Sequence, residues 1–183
     1  MRDAGLNDQN FARLKAEVID AGLCTRCGSC VGVCPEGAIQ FDDPLGEVLP
    51  ELVGECCERG TCYAGCPGKF VSWPKLTEQV FGSPHGQALA PTNFLIGQRL
   101  AAYVGFSTDE QLRGNGASGG VISAISTYLL EQGLVDGVIT LIDSPQEPYR
   151  AIPKIITHRE EVLAAAQSRY SISPVNTILG SLA

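Results

Sequence analysis

Outside residues 24–66 the sequence has no cysteine, and throughout it is short of positive charge, histidine and long apolar runs. Each shortage excludes something. With 13 Lys and Arg against 20 Asp and Glu, a net charge of -7 and no basic run, the chain has little to replace the counterions of a nucleic-acid backbone, so no nucleic-acid partner is expected. An anionic membrane surface is disfavoured for the same reason. No stretch approaches the roughly 18 apolar residues of a membrane span, and the residues from Met1 to Lys15 lack the apolar centre of a secretory signal. A cytoplasmic location without a membrane span is expected. The only histidines are His85, in a Pro/Gly loop, and His158, ahead of a predicted helix. Surface placement suits both better than catalysis. No Ser-His-Asp set, paired carboxylates or Walker pattern is present.

Hydrophobic residues make up 44% of the chain and charged residues 18%, which excludes disorder and implies a core. All eight cysteines lie between Cys24 and Cys66, and this asymmetry favours two domains. In a reducing compartment clustered cysteines are metal ligands or redox thiols rather than disulfides.

The periodicity predicts an opening helix over 8–21, with Asn7 as N-cap, Phe11, Leu14, Val18 and Ile19 on one face, and Gly22 as its stop. From Cys24 to Gly68 large apolar residues are too few for a conventional core, so something other than hydrophobic burial must hold the segment. Ala38 to Phe41 and Glu47 to Leu49, flanking Asp42-Asp43-Pro44-Leu45-Gly46, read as a hairpin. Pro74, Pro84, Gly86 and Pro91 punctuate a linker with a short helix near 75–81 and a domain boundary near residue 84. Beyond it a strand is expected at 101–106, then a capped helical turn from Ser107-Thr108-Asp109-Glu110. A helix over 120–132 closed by Gly133, strands over 135–142 and 151–157, and a helix over 159–167 follow. Trp73, beside Pro74, is either a cover for the cysteine segment or ordinary packing.

Cys24, Cys27, Cys30 and Cys34-Pro35 form C-x2-C-x2-C-x3-C-P, the bacterial ferredoxin run, whose fourth cysteine ligates the other cluster of a pair. Three thiolates on a tight loop suit a cubane, Gly28 lets the backbone approach the sulfides, and Pro35 turns the chain away. In the second group Cys62-x3-Cys66-Pro67 repeats the end of this run, and Cys56 precedes Cys62 as Cys24 precedes Cys30. The second position is not kept: Arg59 stands there, and the spare thiol is Cys57. The expected sets are Cys24, Cys27, Cys30 and Cys66 for one cluster, and Cys34, Cys56, Cys62 and Cys57 for the other. Adjacent side chains in an extended chain point to opposite faces, so Cys57 and Cys56 reach one cubane only through a sharp bend. A three-iron (3Fe-4S) second cluster with an open corner is the alternative. An Arg59 charge beside it would favour the reduced cluster. A structural zinc site is the competing reading, though zinc sites are usually built from separated pairs rather than a triplet followed by Cys-Pro.

Gly114-Asn115-Gly116-Ala117-Ser118-Gly119 satisfies G-x-G-x-x-G and opens a helix at Gly120, where backbone amides and the helix dipole could meet a phosphate. The residues from Ser107 to Arg113 separate it from the preceding strand, unlike a dinucleotide-binding turn. A plain loop with Ser118 as helix cap is the other reading.

Two stretches, GFSTDEQLRGNGASGGVISAISTYLLEQGLVDGVI and EEVLAAAQSRYSISPVNTIL, resemble the N-terminal part of the coenzyme F-420 hydrogenase/dehydrogenase beta-subunit family. The family often carries a two-cluster ferredoxin segment in front, similar to GECCERGTCY here. The resemblance implies a flavoprotein in which FAD exchanges hydride with F-420 or a similar carrier and single electrons with two 4Fe-4S clusters. It places Asn115, Gly116, Ser118, Gly119 and Gly120 near the flavin, with Arg169, Tyr170 and Ser171 completing its surroundings. On the residues alone, a helix-end cation at Arg169 and a core aromatic at Tyr170 compete with flavin contact. Family members run past residue 183, and the apolar end from Ile178 to Ala183 agrees with a fragment or half of a split subunit. The expected fold is α+β: a helix plus two-cluster ferredoxin-like domain over 1–84, then an incomplete mixed α/β flavin-type domain over 85–183. Its partner is a redox protein or another subunit of an oxidoreductase, with an adaptor that only docks a ferredoxin module as the non-catalytic alternative.

Overall fold

The computed structural model describes residues 10–41, 48–82 and 97–182. Asn7, the expected turn at 42–46, Glu47, His85, the boundary at 84 with Gly86 and Pro91, and Ala183 lie outside the described residues. The chain forms two units, one from Met1–Lys69 together with Phe106–Ala183, the other from Phe70–Gly105. The cysteine segment and the elements after residue 106 therefore share one unit.

That unit opens with α1, Phe11–Leu14, capped by Asn10, whose side chain accepts from the Arg13 amide at 3.1 Å. Asn10 takes the capping role expected of Asn7, because Phe11 is the first helical residue. The helix widens into a π turn over Lys15–Ile19, with the Asp20 amide reaching the Lys15 carbonyl at 2.8 Å. Gly22, at φ +72°, stops it. The expected apolar face is buried: Phe11, Leu14, Val18 and Ile19 pack with Cys30, Ile39, Cys62 and Tyr63 in one core. Tyr63 anchors this contact, donating its hydroxyl to Glu17 at 2.5 Å beneath the Arg13 guanidinium, which lies 4.5 Å above the ring.

Two short helices, α2 (Ser29–Gly32) and α3 (Thr61–Ala64), carry the buried thiols Cys30 and Cys62. Between them strands β1 (Ile39–Gln40) and β2 (Glu51–Leu52) pair antiparallel. The partner strand lies beyond the expected 47–49, starting directly after Pro50, which has no N–H for a ladder.

After residue 106 come α5 (Glu110–Asn115) and α6 (Val121–Glu131), then β3 (Val138–Asp143) paired antiparallel with β4 (Ala151–Ile156), and α7 (Arg159–Ala164). Asp109 caps α5 by accepting from the Gln111 and Leu112 amides, both at 3.0 Å, and binds Arg159 at 2.6 Å, tying α5 to α7. Lys154 on β4 meets Glu161 on α7 at 2.8 Å. The sequence pattern gave no element at the end of the described chain, yet Val175–Leu182 is a 3-10 helix. It packs on α2 on one side and on β4 and β3 on the other.

The second unit holds α4 (Trp73–Phe81), with Pro74 in its first turn and Gly82 at φ +74° as its stop. The helix begins slightly before the expected residue 75. Trp73 is 73% exposed. The strand expected at 101–106 does not form: the segment is exposed, and no described strand pairs with it. An alternation of apolar residues makes a strand only where a partner edge exists. Among the described residues no helix is long and apolar enough to cross a membrane.

Candidate metal centre and glycine loop

The two cysteine runs trace the same backbone. Arg26 and Glu58 both have positive φ, +58° and +54°, unusual for residues with a side chain. Gly28 and Gly60 follow at φ +83° and +74°, each opening a four-residue helix whose second residue is a buried cysteine. Cys34-Pro35 and Cys66-Pro67 close the two runs. In this register Cys56 matches Cys24, Cys62 matches Cys30 and Cys66 matches Cys34. Arg59 stands in the place of Cys27, and Cys57 in that of Thr25.

Cys24, Cys27, Cys30 and Cys66, taken from both runs, line a single small cavity floored by Leu14, Val18 and Ile19. Burial pushes the Cys30 thiol up to about 12, with Cys24, Cys27 and Cys66 adding to it. Burial likewise raises Cys62, and the charges that add to it belong to Cys56 and Cys34. At Cys27 burial acts upward, but the polar groups around it, Ser29 first and then Thr25 and Asn176, outweigh it and lower the thiol. The charges thus set Cys30 with Cys24, Cys27 and Cys66, and Cys62 with Cys56 and Cys34; Cys57 is half-buried and Cys56 exposed. Among the described residues all eight cysteines are free of disulfides. The buried Cys30 and Cys62 thiols resist ionisation until a cationic centre takes the proton's place, and an all-sulfur donor set around one cavity fits ligation of iron.

The glycine loop is shaped by contact. A Cβ on Gly116 would lie 2.6 Å from the Cα and N of Gly120, and one on Gly120, at φ +70°, would strike the Leu112 carbonyl. Gly120 itself caps α6; Ser118 makes no capping bond. A cavity of about 350 Å³ opens here, lined by Gly116, Ser118, Gly120, the first turn of α6, and residues of β3 and α7. Of the residues expected near a flavin, Gly116, Ser118 and Gly120 line it. The Asn115 carbonyl accepts from Gln167 at 2.5 Å, and the Gly119 carbonyl accepts from the Ser107 amide at 2.7 Å. Arg169 is turned away from the cavity. Its guanidinium grips Asp143 at 3.0 and 3.1 Å and donates to the carbonyls of Ala165, Ala166 and Gln167 at the end of α7. Tyr170 is 93% exposed, which overturns the core-aromatic reading, and Ser171 is exposed beside Ser173. His158 is exposed, bonded to Thr157.

The sequence reading missed Asn176. Its backbone N–H donates to the Cys27 carbonyl at 2.9 Å, and its side chain donates to the Ser29 hydroxyl at 2.9 Å. Nothing in local pattern links residues so far apart.

Residues 17–40 match the 4Fe-4S binding domain, and residues 102–180 match the family described as coenzyme F420 hydrogenase/dehydrogenase, beta subunit N-term. The chain is 29% identical over 164 residues to the coenzyme F420-dependent sulfite reductase of Methanocaldococcus jannaschii, covering 88% of this chain and 22% of that protein. It is 34% identical over 79 residues to the coenzyme F420 hydrogenase subunit beta of Methanosarcina barkeri, covering 43% and 27%. It is also 36% identical over 63 residues to a ferredoxin of Pyrobaculum islandicum, covering 34% and 56%. The chain spans about a quarter of the length of the two F420-linked relatives. What the thiols and these matches define is a 4Fe-4S binding segment of the ferredoxin type. Behind that segment, the chain carries the N-terminal domain of the coenzyme F420 hydrogenase/dehydrogenase beta-subunit family.

Proposed function

We propose that this chain is the iron-sulfur electron-transfer part of an F420-dependent oxidoreductase, with residues 1–84 as the conducting segment and 85–183 as part of a flavin domain. The observation that carries the reading is the gathering of Cys24, Cys27, Cys30 and Cys66, from two separate runs, around one cavity. Such crossed ligation belongs to paired cubanes. Cys34, Cys56 and Cys62 hold the second cluster, with Cys57 as fourth ligand; if Cys57 does not ligate, the second cluster is of the three-iron kind.

A flavin, when bound, supplies the exchange between single electrons and a hydride. The chain's own contribution is binding: Gly116, Ser118 and Gly120 and the first turn of α6 offer amides and a positive helix end to a phosphate. The cavity is at the small end of ligand pockets, so these residues suit the phosphate-bearing end of FAD. Arg169 serves by holding the end of α7 against β3, while Tyr170 and Ser171 are left for contacts with the ring or with a partner subunit.

A second reading, a ferredoxin-type carrier without flavin that docks on a partner enzyme, is favoured by one observation: Arg169, Tyr170 and Ser171 do not turn into the cavity. Anaerobic purification tests both. Iron and sulfide in the amounts of two clusters, with visible absorption bleached by dithionite, are expected. A resolved flavin spectrum selects the first reading and its absence the second. Zinc without iron or sulfide overturns both.

A further inference from the structure

The 3-10 helix Val175–Leu182 lies against the loop that presents the first cysteine run, and the fit is close. A Cβ on Gly28 would lie 2.8 Å from the Thr177 methyl and 2.9 Å from the Pro174 oxygen, and one on Gly32 would strike the Asn176 carbonyl. Within this contact runs a directed chain of hydrogen bonds. The Asn176 amide Nδ2 donates to Ser29 Oγ at 2.9 Å, and Ser29 Oγ stands 3.3 Å from Cys27 Sγ.

The proton count fixes the direction. Ser29 accepts from Asn176, so its single hydroxyl hydrogen is left for the sulfur, and a metal-bound thiolate has no hydrogen to give back. Ser29 is buried, at 9% exposure, so water does not compete readily for that bond. A hydrogen bond to a cluster sulfur stabilises the more negative, reduced state, and chained donors polarise one another.

We propose that Asn176, acting through Ser29, is a positioning residue that raises the reduction potential of the cluster held by Cys24, Cys27, Cys30 and Cys66. The proposal rests on the two-cluster reading above. It makes the last helix of the second segment a regulator of the first cluster. The second run carries no copy of the device: Thr61, in the place of Ser29, turns its hydroxyl to the Val33 carbonyl at 3.2 Å.

The test is an EPR-monitored redox titration of the anaerobically loaded chain, with iron measured first. Ser29→Ala and Asn176→Ala lower the potential of the first cluster and leave the second unchanged. Asn176→Asp is nearly isosteric but can only accept, so it draws the serine hydrogen away from Cys27. It produces the largest shift, roughly a tenfold fall in the reduced-to-oxidised ratio at fixed poise, about 59 mV for a one-electron couple. Ser29→Thr keeps a hydroxyl and retains the parental potential. Full iron content with a parental first-cluster potential in Ser29→Ala and Asn176→Asp overturns the proposal, as do equal shifts in both clusters or loss of iron without any shift. Absence of iron from the parent chain instead overturns the two-cluster reading itself.

Discussion

The two cysteine runs share one backbone and differ in what lies over them. In the first, the Asn176 carbonyl lies so close to Gly32 that a Cβ there would strike it. In the second, the matching residue is Ala64, which is exposed. The first run has Cys27 in its second position, bonded to a buried serine; the second has exposed Arg59 there. A duplicated loop has thus been specialised by its surroundings: one copy roofed and hydrogen-bonded, the other open to solvent. The difference teaches that spacing sets which thiols converge, while the neighbouring chain sets how each centre behaves.

Removing the buried thiols breaks the comparison most sharply. Cys30→Ser is expected to abolish the first cluster and Cys62→Ser the second, each leaving about half the iron and one EPR signal. Loss of both signals in either variant would mean that the runs do not form independent centres. Next comes the irregular corner. Cys57→Ser is expected to convert the second cluster to a three-iron form or abolish it, and Arg59→Cys in that background to restore four-iron character. An unaltered EPR spectrum in Cys57→Ser would remove Cys57 from the ligand set.

A smaller effect sharpens the contrast between roofed and open runs. Gly32→Ala forces a methyl against Asn176 and is expected to destabilise the loaded chain by about 1–3 kcal/mol in denaturant titrations. Ala64→Gly, which meets no such neighbour at its exposed site, is expected to cost about 1 kcal/mol through helix propensity. No loss in Gly32→Ala would show that the 3-10 helix does not bear on α2.

The smallest effect concerns the hairpin under that helix. Glu161 is held down to about 2 by the Lys154 ammonium first and the Thr157 amide second. Its folded value lies below that of an unfolded Glu, about 4.3, so its contribution is complete above that pH and fades as the pH falls toward 2. Thermal melts of Glu161→Gln against the parent are expected to differ at neutral pH and to converge only as the pH falls through about 2. A difference that grows in acid would contradict the assignment.

Much of this was legible from residue order. The apolar positions Phe11, Leu14, Val18 and Ile19 repeat at helical spacing, and Gly22 and Gly133 lie at positive φ after their helices. Both are local signals. The signal failed where the deciding partner was distant. Ala101 to Phe106 has the composition of a strand but no described edge to pair with, and Pro50 shifted the β1 partner to residues 51–52. Arg169 illustrates the same limit at the candidate flavin site. Its charge was evident, but only packing showed that three carbonyls and Asp143 engage it.

The order of residues alone determined that Cys24, Cys27 and Cys30 would gather at one cavity, which Cys66 joins, because C-x2-C-x2-C confines three sulfurs to one tight loop. Tertiary structure alone decided that Asn176 would stand over Ser29 and Cys27. A hydrogen bond between segments so far apart in the chain depends on how helix, hairpin and loop stack, and no local periodicity encodes that.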